Sequence, residues 1–318
     1  MHCYFIYYMR IKGFYLNSKP VYLDTYATGE LDYKINQANE ALTHCTLCPR
    51  SCNIDRTGKQ RGICKTGVLA RVSLYQPHFG EEKPLVGSGG SGTIFFTHCN
   101  LMCNFCQNFD ISHHGYGDEV SPEQLANMMV YLQNYGCHNI NLVTPSHVVP
   151  QILSALKIAI EKGLSIPLVY NTSSFDSVFS LKLLEGIVDI YLPDIKYLDP
   201  YKTELTMNAP DYPQVAKRAV REMYRQVGDL IINDKGIAER GLLVRHLVMP
   251  GETENLIAVL KFLINEISSN THINLLGQYH PAGTAANIQK LAHGLSIQEY
   301  QQSLNLAREF GVKQLMND

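Results

Sequence analysis

Residues 93–108 have the sequence TIFFTHCNLMCNFCQN, and this stretch decides the fold. Its first five residues are β-branched or aromatic and follow a glycine-rich run at 87–92, a pattern that predicts a buried strand. Directly after the predicted strand come Cys99, Cys103 and Cys106, with the spacing C-x3-C-x2-C. In a parallel sheet such residues lie at the carboxyl ends of the strands, where ligands bind.

Strands and helices alternate from this stretch onward. A capping box at Ser121 and Gln124, with Pro122 at the first helical position, predicts the start of a helix. Further strands are predicted at 139–143, 166–170, 187–192, 242–248 and 273–276, each followed by a helix, the last of which starts at Ser296 with Glu299 in a second capping box. Six such units predict an α/β fold with a parallel sheet and right-handed crossovers.

The predicted architecture is a partial (β/α)6 TIM-like barrel over residues 89–318. Residues 1–88 are predicted to form a small Cys-rich N-terminal extension that includes a metal site. The first ten residues are apolar but too short for a membrane span, and they lack the basic start of a signal peptide. We expect an edge strand there.

Composition narrows the class of protein. Of 318 residues, 45% are hydrophobic and 18% charged, which is typical of a globular protein. The net charge of −2, without a long basic run, argues against nucleic acid as a partner. No run reaches the ~18 apolar residues of a membrane span, and no export signal is apparent, so a cytoplasmic location without a membrane partner is expected. Nine cysteines in such a chain favour metal binding over disulfides.

The Cys99 group predicts an open iron–sulfur site. Three thiolates can ligate three irons of a [4Fe–4S] cluster, whereas an electron-transfer cluster usually takes four cysteines. A missing fourth protein ligand leaves one iron free for a substrate, as in an open catalytic zinc site. The alternative is zinc, with His98, His113 or His114 as its fourth ligand.

The motif, including Phe105 before its last cysteine, resembles that of the radical S-adenosylmethionine (SAM) superfamily. The resemblance implies that the amino and carboxylate groups of SAM chelate the open iron, and that one electron cleaves SAM to methionine and a 5′-deoxyadenosyl radical. Residues 45–281 resemble the pyruvate formate-lyase activating enzyme-like proteins, especially the uncharacterised iron–sulfur branch that begins with CxLCPRxC, here Cys45 to Cys52. This implies an oxidoreductase or activating enzyme that takes electrons from a flavodoxin or ferredoxin and has a protein as one candidate substrate.

Polar residues after the second and third strands are candidates to bind SAM. In the superfamily a GGE segment commonly follows the second strand and holds the amino group of SAM, but residues 143–147 here are VTPSH. Thr144 and Ser146 are candidates to replace it. Asn171 and Ser173 end the third strand, where the resemblance implies contacts with the ribose and carboxylate of SAM. Ordinary turn chemistry is the alternative.

Charged residues follow the next two strands. Asp194 and Lys196 are two residues apart on an extended chain and therefore face the same side. A similar D-x-K occurs in the resembling family. Arg245 interrupts an apolar strand and needs an anionic partner, because a buried unpaired charge is costly. SAM is one candidate partner, and a structural ion pair is the alternative.

A second group of cysteines precedes the barrel. Cys45, Cys48, Cys52 and Cys64 have the spacing C-x2-C-x3-C-x11-C, which suits either a second [4Fe–4S] cluster or tetrahedral zinc. A cluster would relay electrons to the first one, whereas zinc would stabilise a segment with little hydrophobic pattern.

The leading functional hypothesis is an enzyme that uses the 5′-deoxyadenosyl radical to abstract hydrogen, with activation of a glycyl-radical enzyme as the named candidate. The second hypothesis is a radical SAM enzyme that modifies a small molecule or another protein. A ferredoxin-like electron carrier is the third. That carrier would need four cysteines at each cluster and would not need Asn171, Lys196 or Arg245 at the strand ends.

Overall fold

The computed structural model describes residues 19–316. The edge strand that the sequence predicts at 1–10 lies outside these residues. In chain order the strands are β1 Ala70–His78, β2 Ser91–Phe96, β3 Asp118–Val120, β4 Ile140–Val143, β5 Leu168–Thr172, β6 Ile190–Pro193, β7 Ile231–Ile232, β8 Ala238–Leu247, β9 His272–Leu276 and β10 Gln314–Leu315. The α-helices are α1 Tyr22–Ala27, α2 Glu30–Glu40, α3 Lys83–Val86, α4 Pro122–Tyr135, α5 Val149–Glu161, α6 Val178–Leu183, α7 Pro200–Met207, α8 Tyr212–Val227, α9 Thr253–Phe262 and α10 Ile297–Glu309.

The strands form one open, mostly parallel sheet. Its order is β10-β9-β8-β6-β5-β4-β2-β1-β3, with β7 paired to β8. Strands β2, β4, β5, β6, β8 and β9 run parallel and succeed one another in chain order. Strands β1 and β3 extend the sheet antiparallel beyond β2. This is the α/β partial TIM-like barrel with six parallel strands that the sequence predicts.

The capping signals lie where the sequence places them. Ser121 and Ser296 each accept a hydrogen bond from the backbone three residues later, and Gln124 and Glu299 complete the two capping boxes. Gly136 ends α4 with φ 107°, a left-handed conformation that glycine adopts without a Cβ clash. Several β-strand boundaries differ from the prediction: β5 begins at residue 168 instead of 166, β6 at 190 instead of 187, and β8 already at 238.

Helix α7 was not predicted. The sequence signal for this helix is limited to two residues at its start. Asp199 caps it by accepting hydrogen bonds from the N–H groups of Tyr201 and Lys202, and Pro200 occupies the first helical position. Its exposed face carries Tyr201 and Leu205, so the apolar periodicity that would announce a helix is weak.

The N-terminal helices pack on the barrel. Tyr22, Leu31 and Ala38 are buried in the same hydrophobic core as the sheet, and α2 lies against α5. Strand β1 precedes residue 88 and pairs with β2, which follows it. The predicted division of the chain at residue 88 stays a prediction. Within residues 19–316 no helix combines the length and apolar character needed to cross a membrane.

Candidate functional site

The carboxyl ends of the parallel strands surround a cavity of about 470 Å³. Its walls come from the segment after β2 and from the ends of β4, β5, β6, β8 and β9. Most residues that the sequence singles out line it together: Cys99, Cys103, Phe105, Cys106, Thr144, Asn171, Ser173, Asp194, Lys196 and Arg245. Ten side chains scattered over about 150 residues of sequence therefore face one space.

Ser146 is the exception among these candidates. It is not part of the cavity wall; its buried hydroxyl lies 3.1 Å from the hydroxyl of Thr172, which does line the cavity. Thr172 also donates a hydrogen bond of 2.6 Å to Asp176. Ser146 and Asp176 thus hold Thr172 in place from behind the wall.

The loop that carries Cys99, Cys103 and Cys106 has an unusual backbone. His98 and Met102 have φ values of 60° and 59°, which residues with a Cβ rarely adopt. Gly115 packs on this loop so closely that an added Cβ would lie 2.0 Å from the His98 ring. Such strain persists where the surrounding structure enforces it, and it is concentrated at functional sites. Thr144, which lies on the cavity wall, has a similar φ of 61°.

The three buried cysteines can ligate a metal cluster, because the positive charge of the metal ions would stabilise their thiolates. Burial raises the pKa of Cys99 and of Cys103, so these thiols stay protonated unless a metal or another cation stabilises the thiolate. The backbone N–H of Leu101 points at the Cys99 sulfur from 3.3 Å, as a donor to a metal-bound thiolate does. The donor set and its surroundings therefore fit three ligands of an iron–sulfur cluster.

Asp194, Lys196 and Arg245 form one network. Asp194 accepts a hydrogen bond of 2.7 Å from Lys196 Nζ and another of 2.7 Å from Arg245 Nε. Burial alone would raise the pKa of Asp194, but the two cations outweigh it and hold the pKa at about 2. Lys196 keeps two further donors, and its charge also acts on Cys103.

Arg245 has its anionic partners within the chain. Besides Asp194, its guanidinium donates to Glu81 Oε2 at 3.1 Å and to Asn171 Oδ1 at 2.6 Å. The structure shows the internal ion pair that is one alternative for this residue, and contact of Arg245 with SAM stays a prediction. Arg245 thereby fixes the orientation of Asn171, which faces the cavity.

Sequence reasoning missed Glu81 and Glu82. Both line the cavity, and Glu82 is only 7% exposed. They follow β1 in a stretch, Gly80-Glu81-Glu82-Lys83-Pro84, whose composition is that of an ordinary polar loop. A single sequence gives no signal that this loop folds back over the strand ends.

The second group of cysteines lines a small, separate pocket. Cys45, Cys48, Cys52 and Cys64 meet there, together with Arg56 and His147. Gly62 makes room for one of them, because an added Cβ would lie 2.7 Å from Cys52 Sγ. Burial, as the largest cause, raises the pKa of Cys48 to about 12. Across residues 19–316, no group of three or more His, Cys, Asp or Glu side chains is arranged to hold a single metal ion.

Arg56 is a buried cation beside these thiols. It is 1% exposed, donates to the carbonyls of His147 and Gly67, and lies 3.7 Å from Cys45 Sγ. Among the described residues no carboxylate lies within ion-pair distance of Arg56. Neutral thiols leave this charge uncompensated, whereas four thiolates on a metal centre would balance it.

Arg50 and Asn100 connect the two groups of cysteines. Arg50 follows Cys48 and donates to the carbonyls of Asn100 and Leu101, at 2.8 and 3.0 Å, within the Cys99 loop. The Asn100 amide donates 2.7 Å to the carbonyl of Phe175, and its oxygen lies 4.0 Å from Cys99 Sγ. The same amide also lowers the pKa of the Cys48 thiol, so it touches both sites.

Taken together, an α/β barrel with a three-cysteine loop at its carboxyl end defines a radical SAM-type enzyme. The family model of the radical SAM superfamily matches residues 93–263, slightly over half of the chain. The chain belongs to this superfamily, which implies a [4Fe–4S] cluster and SAM as cofactors.

Two kinds of relative resemble the chain. An uncharacterized protein of Methanocaldococcus jannaschii is 29% identical over 292 residues, covering 89% of this chain and 79% of that protein. SuiB of Streptococcus suis, solved with its precursor peptide SuiA, has a TM-score of 0.46 and 11% identity over 67% of this chain. Methylornithine synthase, PylB, has a TM-score of 0.46 and 15% identity over 68% of this chain. The matches cover 44% of the SuiB chain and 61% of the PylB chain.

Proposed function

We propose that this protein cleaves SAM reductively and uses the resulting radical to abstract hydrogen from a substrate. The observation that carries the proposal is that Cys99, Cys103 and Cys106 share one cavity with polar side chains from five other strand ends. Three cysteines would hold the [4Fe–4S] cluster and leave one iron for SAM. When bound there, the cluster would supply one electron, which breaks a carbon–sulfur bond of SAM to give methionine and a 5′-deoxyadenosyl radical.

Lys196 is the side chain that we assign to the carboxylate of SAM. Its charge acts on Cys103, so it stands near the cysteine loop. Burial alone would lower the pKa of Lys196, but Asp194 and then Cys103 more than offset this, so the lysine stays protonated. One of its three donors is used by Asp194, and two remain for an anionic group.

Thr144, Asn171 and Ser173 are assigned to the ribose and amino groups of SAM. Their donors and acceptors face the cavity, and Arg245 orients Asn171. Thr144 occupies the place of the missing GGE segment, and its positive φ turns the chain there. Phe95, Phe105 and Leu247 line the same space and would keep water away from a radical.

Within this class, activation of a glycyl-radical enzyme is the activity that the resemblance of residues 45–281 supports. Modification of a small molecule or of another protein is the second candidate, and it is supported by the sequence VTPSH in the place of GGE. A flavodoxin or ferredoxin is the proposed electron donor.

For the N-terminal cysteines we propose a second [4Fe–4S] cluster, with zinc as the alternative. Arg56 supports an anionic metal centre, as its buried charge lacks a carboxylate partner among residues 19–316. A cluster holds its cysteines further apart than a single zinc ion does, which agrees with four thiols around a pocket that does not form a single-ion site. Asn100 would lie between this cluster and the first.

The test is anaerobic reconstitution with iron and sulfide, followed by dithionite and SAM. We expect 5′-deoxyadenosine, with about eight irons per chain. About four irons together with one zinc would assign the N-terminal site to zinc. A fully loaded protein that yields no 5′-deoxyadenosine, with or without candidate substrates, would contradict the proposal and favour the electron carrier.

A further inference from the structure

Glu81 and Glu82 lie on the cavity wall, and the proposed SAM chemistry uses neither of them. They follow β1, and their side chains reach the ends of β8 and β9 through Arg245 and Asn274. Strand β8 is the fourth and β9 the fifth strand from β2, which carries the cysteine loop. The two glutamates are therefore in contact with the part of the wall that β8 and β9 form.

Glu82 is buried without a complete set of partners. Its Oε1 accepts a hydrogen bond of 2.8 Å from Asn274 Nδ2. Its Oε2 is shielded from solvent and receives no donor from any residue between 19 and 316 while both glutamates are ionised. The neighbouring carboxyl group of Glu81 can donate to Glu82 only when it is protonated. A carboxylate that is 7% exposed has a large desolvation cost, so an unpaired oxygen on a residue that lines the cavity points to a cationic or donor group that binds beside it.

The balance of charges around the cavity also indicates that Glu82 lacks a cationic partner. The charged Asp, Glu, Lys and Arg side chains around the cavity are Glu81, Glu82, Asp194, Lys196 and Arg245. Lys196 pairs with Asp194, and Arg245 bridges Asp194 and Glu81. Three carboxylates thus face two cations, and Glu82 is the carboxylate that forms an ion pair with neither of them.

We propose that Glu81 and Glu82 bind a primary ammonium group of the substrate. This inference rests on the proposed function, in which the amino group of SAM itself belongs at the open iron of the cluster on the cysteine loop. The two carboxyl groups and the amide oxygen of Asn274 offer three acceptors, which match the three N–H donors of an ammonium group. The substrate would be a small amine or a peptide with a lysine side chain.

Binding of the ammonium group is coupled to a proton. Burial raises the pKa of Glu81 to about 7, and neighbouring Glu82 and Asp194 add to this while Arg245 opposes it. Near neutral pH the empty pair therefore holds part of a proton, which an incoming ammonium group displaces. The affinity for the amine should rise as the pH increases from 6 to 8, because less proton must then be released. His78 and His98 line the same cavity.

The experiment uses the full chain, reconstituted with iron and sulfide and saturated with SAM. Calorimetry compares n-pentylamine, which is cationic at pH 7, with n-pentanol, which is uncharged and of similar size. We expect the amine alone to bind, with release of a fraction of a proton at pH 7. The Glu82→Gln variant, which can keep the Asn274 hydrogen bond, should bind it at least about 30-fold more weakly. Glu119→Gln, on the exposed face of β3, is the matched control and should bind it as the wild type does.

A second variant distinguishes a specific loss of proton release from a general loss of folding. Glu81→Gln should weaken amine binding and abolish the proton release, while thermal melting checks that each variant is folded. The peptide probe is N-acetyl-Gly-Lys-Gly amide, whose one ammonium group is the lysine side chain. Its binding as well as that of the amine would assign the ammonium group to a peptide, and binding of the amine alone would assign it to a small molecule.

Three results would overturn the inference: equal binding of amine and alcohol, unchanged amine binding in both glutamate variants, or a tenfold loss of SAM affinity in Glu82→Gln. The last result would place the amino group of SAM at this pair. Formation of 5′-deoxyadenosine by the wild type is measured separately. A wild type that cleaves SAM but does not bind the amine contradicts only this inference, and one that binds the amine but never cleaves SAM contradicts the proposed function.

Discussion

At the scale of single residues, Cys103 provides the sharpest test of the two metal sites. It is buried in the barrel cavity and takes no part in the N-terminal pocket. We expect Cys103→Ala to lose the iron of the SAM site, roughly half of the total, and all formation of 5′-deoxyadenosine. The metal of the N-terminal group should stay. Iron and zinc analysis together with the product assay measures this, and SAM cleavage by the variant would refute the assignment of roles.

Cys137 is the matched control for that variant. It is a buried thiol of the hydrophobic core, packed near the start of β2 and distant in sequence from both groups. Cys137→Ala should keep all of the iron. A loss of iron in this variant would mean that the wild-type count depends on general stability and not on the ligands.

Replacement of Arg56 should have different effects depending on whether the neighbouring thiols bind a metal. Replacing a buried, unpaired charge by an apolar side chain is often neutral or stabilising, so Arg56→Met should raise the melting temperature if the thiols hold no metal. If they hold an anionic centre, removing the charge should lower the metal affinity by about tenfold or more. We expect the second outcome, measured as metal retained during chelation. Arg218→Met, on the exposed face of α8, should leave retention unchanged.

At the scale of elements, Asp189 ties the N-terminal helices to the sheet. Its two carboxylate oxygens accept hydrogen bonds of 2.9 Å from the backbone N–H groups of Val21, before α1, and Leu168, in β5. In Asp189→Asn an amide N–H must face one of these donors. This should cost about 2 kcal/mol or more of unfolding free energy, because a buried donor is left unsatisfied. Urea unfolding measures the loss. An unchanged midpoint would show that α1 is not held by this contact.

The elements also show what sequence patterns can and cannot predict. The helices that begin at Ser121 and Ser296 were predictable because each capping box consists of hydrogen bonds between two residues only three positions apart in the sequence. The six parallel strands were predictable because buried strands need continuous apolar runs. Strands β1, β3, β7 and β10 were missed. The last two are two-residue strands, which have no periodicity of their own and form only when a neighbour is already in place.

The residues of the candidate site also fall into those that the sequence predicts and those that it does not. The cysteine loop and the polar strand ends were predicted because each follows an apolar run directly, and parallel strands bring such ends together. Glu81 and Glu82 were not, since they reach the site through contacts with β8 and β9, whose residues lie more than 160 positions away in the sequence. Ser146 was assigned to the same wall by its position after β4, but its side chain points behind that wall.

At the scale of the whole molecule, Arg50 joins three separate parts. It comes from the N-terminal extension and donates to Asn100 and Leu101 in the cysteine loop, and to Met207 and Asn208 at the end of α7. Ser177 and Ser180 fasten the same extension to α6 by donating to the carbonyl of Leu47. The extension thus supports the loop that would hold the SAM-cleaving cluster, although it supplies none of that loop's cysteines.

This arrangement predicts that Arg50 controls how firmly the first cluster is held. Lysine has one ammonium group and cannot span carbonyls of two separate segments as the forked guanidinium does. In Arg50→Lys we expect iron of the Cys99 site to be lost to a chelator about threefold faster or more, since hydrogen bonds from a charged donor contribute roughly 1.5–3 kcal/mol each. The decay of the cluster's absorbance measures the rate, and the SAM-dependent change of its electron paramagnetic resonance signal identifies the site. Arg61→Lys, which alters an arginine bonded only within the extension, is the matched control. Equal rates in all three proteins would mean that the extension holds its own metal without stabilising the barrel site.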